Sequence, residues 1–172
     1  ASSFFGEGVV GHVPFGDPVS PVLAAVLADA AADAGATVHV GGTYVCMEGP
    51  AFSTRAESEL YRSWGASVVG MTNLPEAKLA REAEIAYATV ALATDYDCWH
   101  PDHDNVDVAA VVETVKANVA MARRIIEGAA AKIPETLDPV VAGAARFAVM
   151  TSPDRLPADR VEALRPIIGK YL

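Results

Sequence analysis

Residues 66–99 read ASVVGMTNLPEAKLAREAEIAYATVALATDYDCW. Three elements follow one another in this stretch. Ser67 to Gly70 is a short strand-like run closed by glycine. Pro75 then opens PEAKLAREAE, a helical stretch with Glu76 near its positive end. Ile85 to Leu92 is a continuous apolar run, and the strand it predicts extends to Thr94. Strand, helix and strand in this order imply an α/β layer structure. Two carboxylates, Asp95 and Asp97, then stand where the second strand ends.

The flanking sequence keeps the same alternation. VVGHVPF (9–15) predicts a short strand, with Pro14 at its edge or end. Ser20-Pro21 predicts an N-cap and first-turn proline, with a helix running to Gly35. TVHVGGTYVCME (37–48) predicts two strands or one bent at Gly41-Gly42. After the Gly49-Pro50 turn, Ser53 or Thr54 caps a helix from about Arg55 to Trp64, closed by Gly65. A long helix is predicted over about 106–131, with Val108, Val111, Val112, Val115, Val119 and Ile126 near helical spacing. Two more helices are predicted, over 134–150 and 158–171. No repeat, linker or low-complexity segment divides the 172 residues, which predicts a single α/β domain.

Composition narrows the function. Hydrophobic residues make up 52% of the chain, which suits a packed core. The net charge of −9 offers no basic stripe for nucleic acid or an anionic membrane. No apolar run reaches membrane-spanning length. Cys46 and Cys98 form no zinc or redox spacing, so a reducing, cytoplasmic setting is expected. The opening ASSFFGEG has neither an initiator Met nor the layout of a signal peptide, and reads as the start of a processed, cleaved or truncated chain.

In α/β folds ligands gather beyond the strand ends that feed the helices. Three stretches sit at such junctions: EGPAFSTRAE (48–57), VVGMTNLPE (68–76) and ATDYDCW (93–99). Thr72 can cap a helix or donate to an anion. Phe52 can stack on a flat ligand or pin its loop. Asp95 and Asp97 can serve as acid and acceptor, or cap backbone N–H groups of a turn. The residues alone leave these alternatives open. His100-Pro101-Asp102-His103-Asp104 mimics a metal cluster, but it reads as an exposed loop ahead of the long helix, which Asn105 or Asp107 would cap. No second His or Cys cluster supports a metal there.

Residues 48–99, EGPAFSTRAESELYRSWGASVVGMTNLPEAKLAREAEIAYATVALATDYDCW, resemble the methylthioadenosine phosphorylase branch of the trimeric purine nucleoside phosphorylases. Weaker similarity runs back to about Phe4 and forward through the long helix. The resemblance implies a phosphorylase/hydrolase-like α/β fold, a mixed sheet flanked by helices, here missing the N-terminal part. It implies cleavage of the N-glycosidic bond of 5′-methylthioadenosine by inorganic phosphate, a co-substrate, with no metal or organic cofactor. It further implies that Phe52 packs on the base, Met71 lies under the ribose and Thr72 contacts phosphate. Asp95 and Asp97 would face the purine N7 and 6-amino edge, with Val69 and Thr94 lining the pocket. Val108 and Val111 would wall the 5′ substituent.

Base preference follows from the same comparison. The 6-oxopurine branch typically carries Glu after the stacking Phe and Asn at the first Asp position. Ser53 and Asp95 stand there instead, and a carboxylate accepts from a 6-amino group but opposes a 6-oxo group. The alternatives are a broader or 6-oxopurine phosphorylase, or an inactive fragment. The family's Gly-rich phosphate loop has no counterpart in residues 1–172, so an N-terminal polypeptide from the same precursor is an expected partner. A homotrimer is the other expected assembly.

Overall fold

The structure, a computed structural model, describes residues 2–100, 108–136 and 138–172. Its element order is α1 (Pro21–Asp33), β1 (Tyr44–Cys46), α2 (Arg55–Ser63), β2 (Val68–Gly70), α3 (Asn73–Glu82), α4 (Val108–Ala130) and α5 (Ala158–Ile168). Two compact units divide the chain. One comprises residues up to Ala24, Asn73–Thr89 and Pro134–Leu172; the other comprises Ala25–Thr72 and Val90–Ile133.

The second unit holds a β–α–β element. Strands β1 and β2 pair in parallel, with Tyr44 opposite Val68, Val45 opposite Val69 and Cys46 opposite Gly70. Helix α2 makes the crossover that a parallel pair requires. Its start is fixed by a capping box. The Thr54 hydroxyl accepts the Glu57 N–H, and the Glu57 carboxylate accepts the Thr54 N–H at 2.7 Å. That N–H bond, reinforced by the Thr54 hydroxyl, holds the Glu57 carboxyl below its ordinary value. Gly65, at φ 78°, turns the chain out of α2 toward β2.

The unit's core is made of small residues. Ala30 and Ala31 of α1 pack with Ile125 and Ala129 of α4, with Met121 partly buried beside them. Gly128 brings α4 against Ala30, where a Cβ would make an ordinary contact of 3.7 Å. An ion pair of 2.5 Å between Lys132 and Asp33 closes that end. The buried face of α4 differs from the expected valine face. Val112, Val115, Val119 and Ile126 are exposed, because the close approach to α1 runs through the alanine face instead.

In the other unit Val9, Ala145, Leu164 and Ile168 form the core, with Phe5, Val149 and Tyr171 against it. Four acidic or basic side chains among the described residues are buried there, each with partners, as burial requires, and one of them, Asp138, accepts from the Ser20 hydroxyl. Arg81 donates to the carbonyls of Pro14, at 2.7 Å, and Asp17. Glu82 accepts from the Ser3 hydroxyl and the Phe4 N–H. Glu84 accepts from the Ala145 N–H, the Tyr171 hydroxyl and the Lys170 ammonium.

Three predicted elements come out differently. Residues 9–15 take part in two isolated bridges, Val9 with Gly6 and Gly11 with Val149, in place of a strand. Residues 85–94 form no strand or helix, and Ile85, Val90 and Leu92 are exposed. A run of apolar residues becomes a strand only where a neighbour takes up its N–H and C=O groups. Within 134–150 the described residues form successive four-residue turns, as in Val141 N–H to Asp138 O, Ala144 N–H to Val141 O and Arg146 N–H to Gly143 O. Gly143 at φ 73° breaks any helix there, and Asp138 caps the first turn by accepting the Val140 N–H.

Candidate active site

Because β1 and β2 are parallel, their carboxyl ends open on the same side. The β1 exit, residues 47–54, leads into α2, and the β2 exit is Met71-Thr72. The two exits touch. The Met71 sulfur lies over Gly49, 3.0 Å from where a Cβ would stand, so the glycine leaves room for it. The Met47 N–H donates to the Gly70 carbonyl at 2.8 Å, continuing the pairing past the last strand residue. Ser53 donates its hydroxyl to the Met47 sulfur at 3.0 Å.

The third stretch, 93–98, joins this assembly through α2 and its entry loop. The Ser58 hydroxyl donates to Asp97 Oδ2 at 2.6 Å, and the Cys98 thiol lies 3.6 Å from the Ser53 carbonyl. Within the stretch, Thr94 donates to Asp95 Oδ2 at 2.7 Å, and the Asp97 N–H donates to Asp95 Oδ1 at 2.8 Å. Asp97 Oδ1 accepts the Cys98 N–H at 2.8 Å. Asp97 has φ 60°, a left-handed conformation that aspartate tolerates better than most residues. Asn118 of α4 holds the start of the loop through the Ala93 carbonyl, at 3.0 Å.

Asp95 is exposed and Asp97 half-buried. Each caps backbone N–H groups, so the turn-cap alternative describes this chain well. Such capping leaves carboxylate lone pairs available, because an ionised carboxylate offers about four acceptor sites. Phe52 is 86% exposed on the β1 exit loop, with its ring face open to stacking. Thr72 is exposed at the β2 exit, whereas Val69 and Met71 are half-buried. Val108 and Val111 fall on the first turn of α4, and their side chains lie outside the described residues, as do Pro101 to Asp107. His100 packs against Tyr96 and Trp99, with ring centroids 5.0 and 5.1 Å apart. Trp99 also carries the Arg62 guanidinium over its ring at 3.6 Å. Among the described residues no group of three or more His, Cys, Asp or Glu could hold a metal ion.

Sequence reasoning missed Ser58. It is 2% exposed and faces the acidic loop from inside α2. The Thr54/Glu57 capping box fixes the helix phase, and a small polar residue directly after it was the available signal.

Residues 1–131 match the Phosphorylase superfamily, and the chain belongs to that family. Its relatives sharpen the likeness. It is 59% identical over 172 residues to an S-methyl-5′-thioadenosine phosphorylase of Geobacter sulfurreducens, covering 100% of this chain and 60% of the relative. It is 55% identical to the protein of that description from Synechocystis, covering 99% of this chain and 53% of the relative. Among solved structures, a methylthioadenosine phosphorylase from an antarctic soil metagenomic library superposes with a TM-score of 0.89 at 42% identity, over 97% of this chain and 60% of that one. A Schistosoma mansoni methylthioadenosine phosphorylase in complex with adenine superposes at 0.70 with 31% identity, over 79% and 55%. The chain thus spans little more than half the length of these relatives.

Proposed function

We propose that this chain is the base-recognising portion of a 5′-methylthioadenosine phosphorylase. The observation that carries the reading is the 59% identity to such a relative across the whole chain. The convergence of three loop stretches at the ends of β1 and β2 supports it.

The chemistry is a balanced displacement. The C1′–N9 bond breaks and its electron pair passes to the purine, while an oxygen of inorganic phosphate forms the new bond to C1′. The products are adenine and 5-methylthioribose 1-phosphate. Negative charge grows on the purine as the bond stretches, and Asp95 stabilises it by sharing a proton at N7. The proton that phosphate sheds on becoming an ester restores the balance. Asp97 supports Asp95, and Asp95 and Asp97 accept from the 6-amino group. Phe52 stacks on the base and Met71 lies beneath the ribose. Val69 and Thr94 line the pocket, Thr72 contacts phosphate, and Val108 and Val111 border the 5′ group. Phosphate below the sugar both stabilises the developing cation and captures it. No metal or organic cofactor enters this scheme, and a cytoplasmic homotrimer serving methylthio and purine salvage is the assembly and setting it suits.

The test is phosphate-dependent release of adenine from methylthioadenosine by the protein carrying this sequence, with intact-mass analysis of what co-purifies. Adenine release that requires phosphate supports the reading. Release of no purine under these conditions overturns it.

A further inference from the structure

We infer that Ser58 is a positioning residue that sets the Asp97–Asp95 pair through the Asp97 carboxylate. The inference rests on the reading of Asp95 and Asp97 as base-recognising groups.

The relay is continuous in the structure. Ser58, 2% exposed on the inner face of α2, donates to Asp97 Oδ2 at 2.6 Å. The Asp97 N–H donates in turn to Asp95 Oδ1 at 2.8 Å. Asp95 is therefore oriented by a residue whose own orientation Ser58 fixes. Serine hydroxyls inside helices commonly turn back to the carbonyl one turn earlier. Here the hydroxyl is spent on a residue 39 positions away. Asp97 has φ 60°, a left-handed turn conformation that aspartate tolerates, and the Ser58 bond fixes where its carboxylate points within that turn. The anchor is itself rigid, because the capping box immediately before Ser58 fixes the start of α2. Asn118 and Cys98 hold the loop at its two ends, so Ser58 governs the segment between them. A bond that holds a recognition group in its working geometry lowers the cost of ordering that group when ligand binds.

The test is a double-mutant cycle of Ser58→Ala and Asp97→Gly in the protein carrying this sequence, glycine removing the carboxylate while suiting the left-handed backbone. Turnover of methylthioadenosine with phosphate and the Kd of adenine are both measured, with thermal unfolding alongside. Ser58→Ala is expected to lower kcat/KM about tenfold, and to weaken adenine binding by a similar factor, in the Asp97 background. In the Asp97→Gly background the same change is expected to cost less than about twofold. Equal losses in both backgrounds, or no loss at all, would overturn the role of Ser58. A wild type that binds adenine but releases none from the nucleoside sinks phosphorolysis alone, and the cycle in adenine affinity then decides on Ser58.

Discussion

The Asp97 N–H donates to Asp95 Oδ1 at 2.8 Å, so the two carboxylates belong to one turn. Asparagine keeps the Oδ1 acceptor, and alanine does not. Asp95→Asn is therefore expected to fold with a melting temperature near that of the parent while losing about 100-fold or more in methylthioadenosine turnover, the size of a general-acid contribution. Asp95→Ala is expected to lose the same activity and about 1 kcal/mol of stability besides. Thermal unfolding and steady-state kinetics on the two variants check this. An Asp95→Asn variant with unchanged turnover would remove Asp95 from the chemistry.

Phe52 offers a second separation of folding from recognition. Its ring is 86% exposed, so Phe52→Ala should leave stability within about 0.5 kcal/mol of the parent. Loss of base stacking, on the order of 1–3 kcal/mol, should weaken adenine binding by about 5- to 150-fold. Calorimetric titration with adenine measures it. A large drop in melting temperature would show that Phe52 pins its loop instead.

Glu84 makes a prediction about pH. Burial pushes its carboxyl up, but the bonds from Lys170, Ala145 and Tyr171, with the charge of Lys170, outweigh that and hold it below the usual value. A carboxyl lowered by folding adds stability above its unfolded value of about 4.3, and that stability disappears as pH falls through the folded value. Lys170 is raised, chiefly by its hydrogen bond to Glu84. Its contribution is complete below the unfolded lysine value of about 10.4 and is lost as pH rises through the folded one. Melting curves of the parent and Glu84→Gln should differ most near neutral pH and converge below about pH 4. A constant gap across pH would mean that packing, and not the ion pair, is what Glu84 supplies.

Local signals in the sequence carried far, where the physics was local. Ser20-Pro21 and Gly35 bracket α1, and the Thr54 cap and Gly65 bracket α2, because caps and left-handed glycines act within a few residues. The junctions after β1 and β2 were legible because the β–α–β order fixes which strand ends open together. Long-range features were not. The run Ile85 to Leu92 has the composition of a strand, but a strand also needs a neighbour, which composition does not specify. The exposed valines of α4 show the same limit, since helical spacing marks an apolar face without naming what covers it. Ser58 meeting Asp97 and Glu84 meeting Tyr171 are pairings across 39 and 87 residues, set by the fold alone.

The most direct test of the account is steady-state turnover of methylthioadenosine, adenosine and inosine, each with and without phosphate. The proposed placement of Asp95 and Asp97 at the base edge predicts phosphate-dependent release of adenine, with kcat/KM for methylthioadenosine at least about 100-fold above that for inosine. Equal or faster turnover of inosine, or purine release that does not need phosphate, would contradict it.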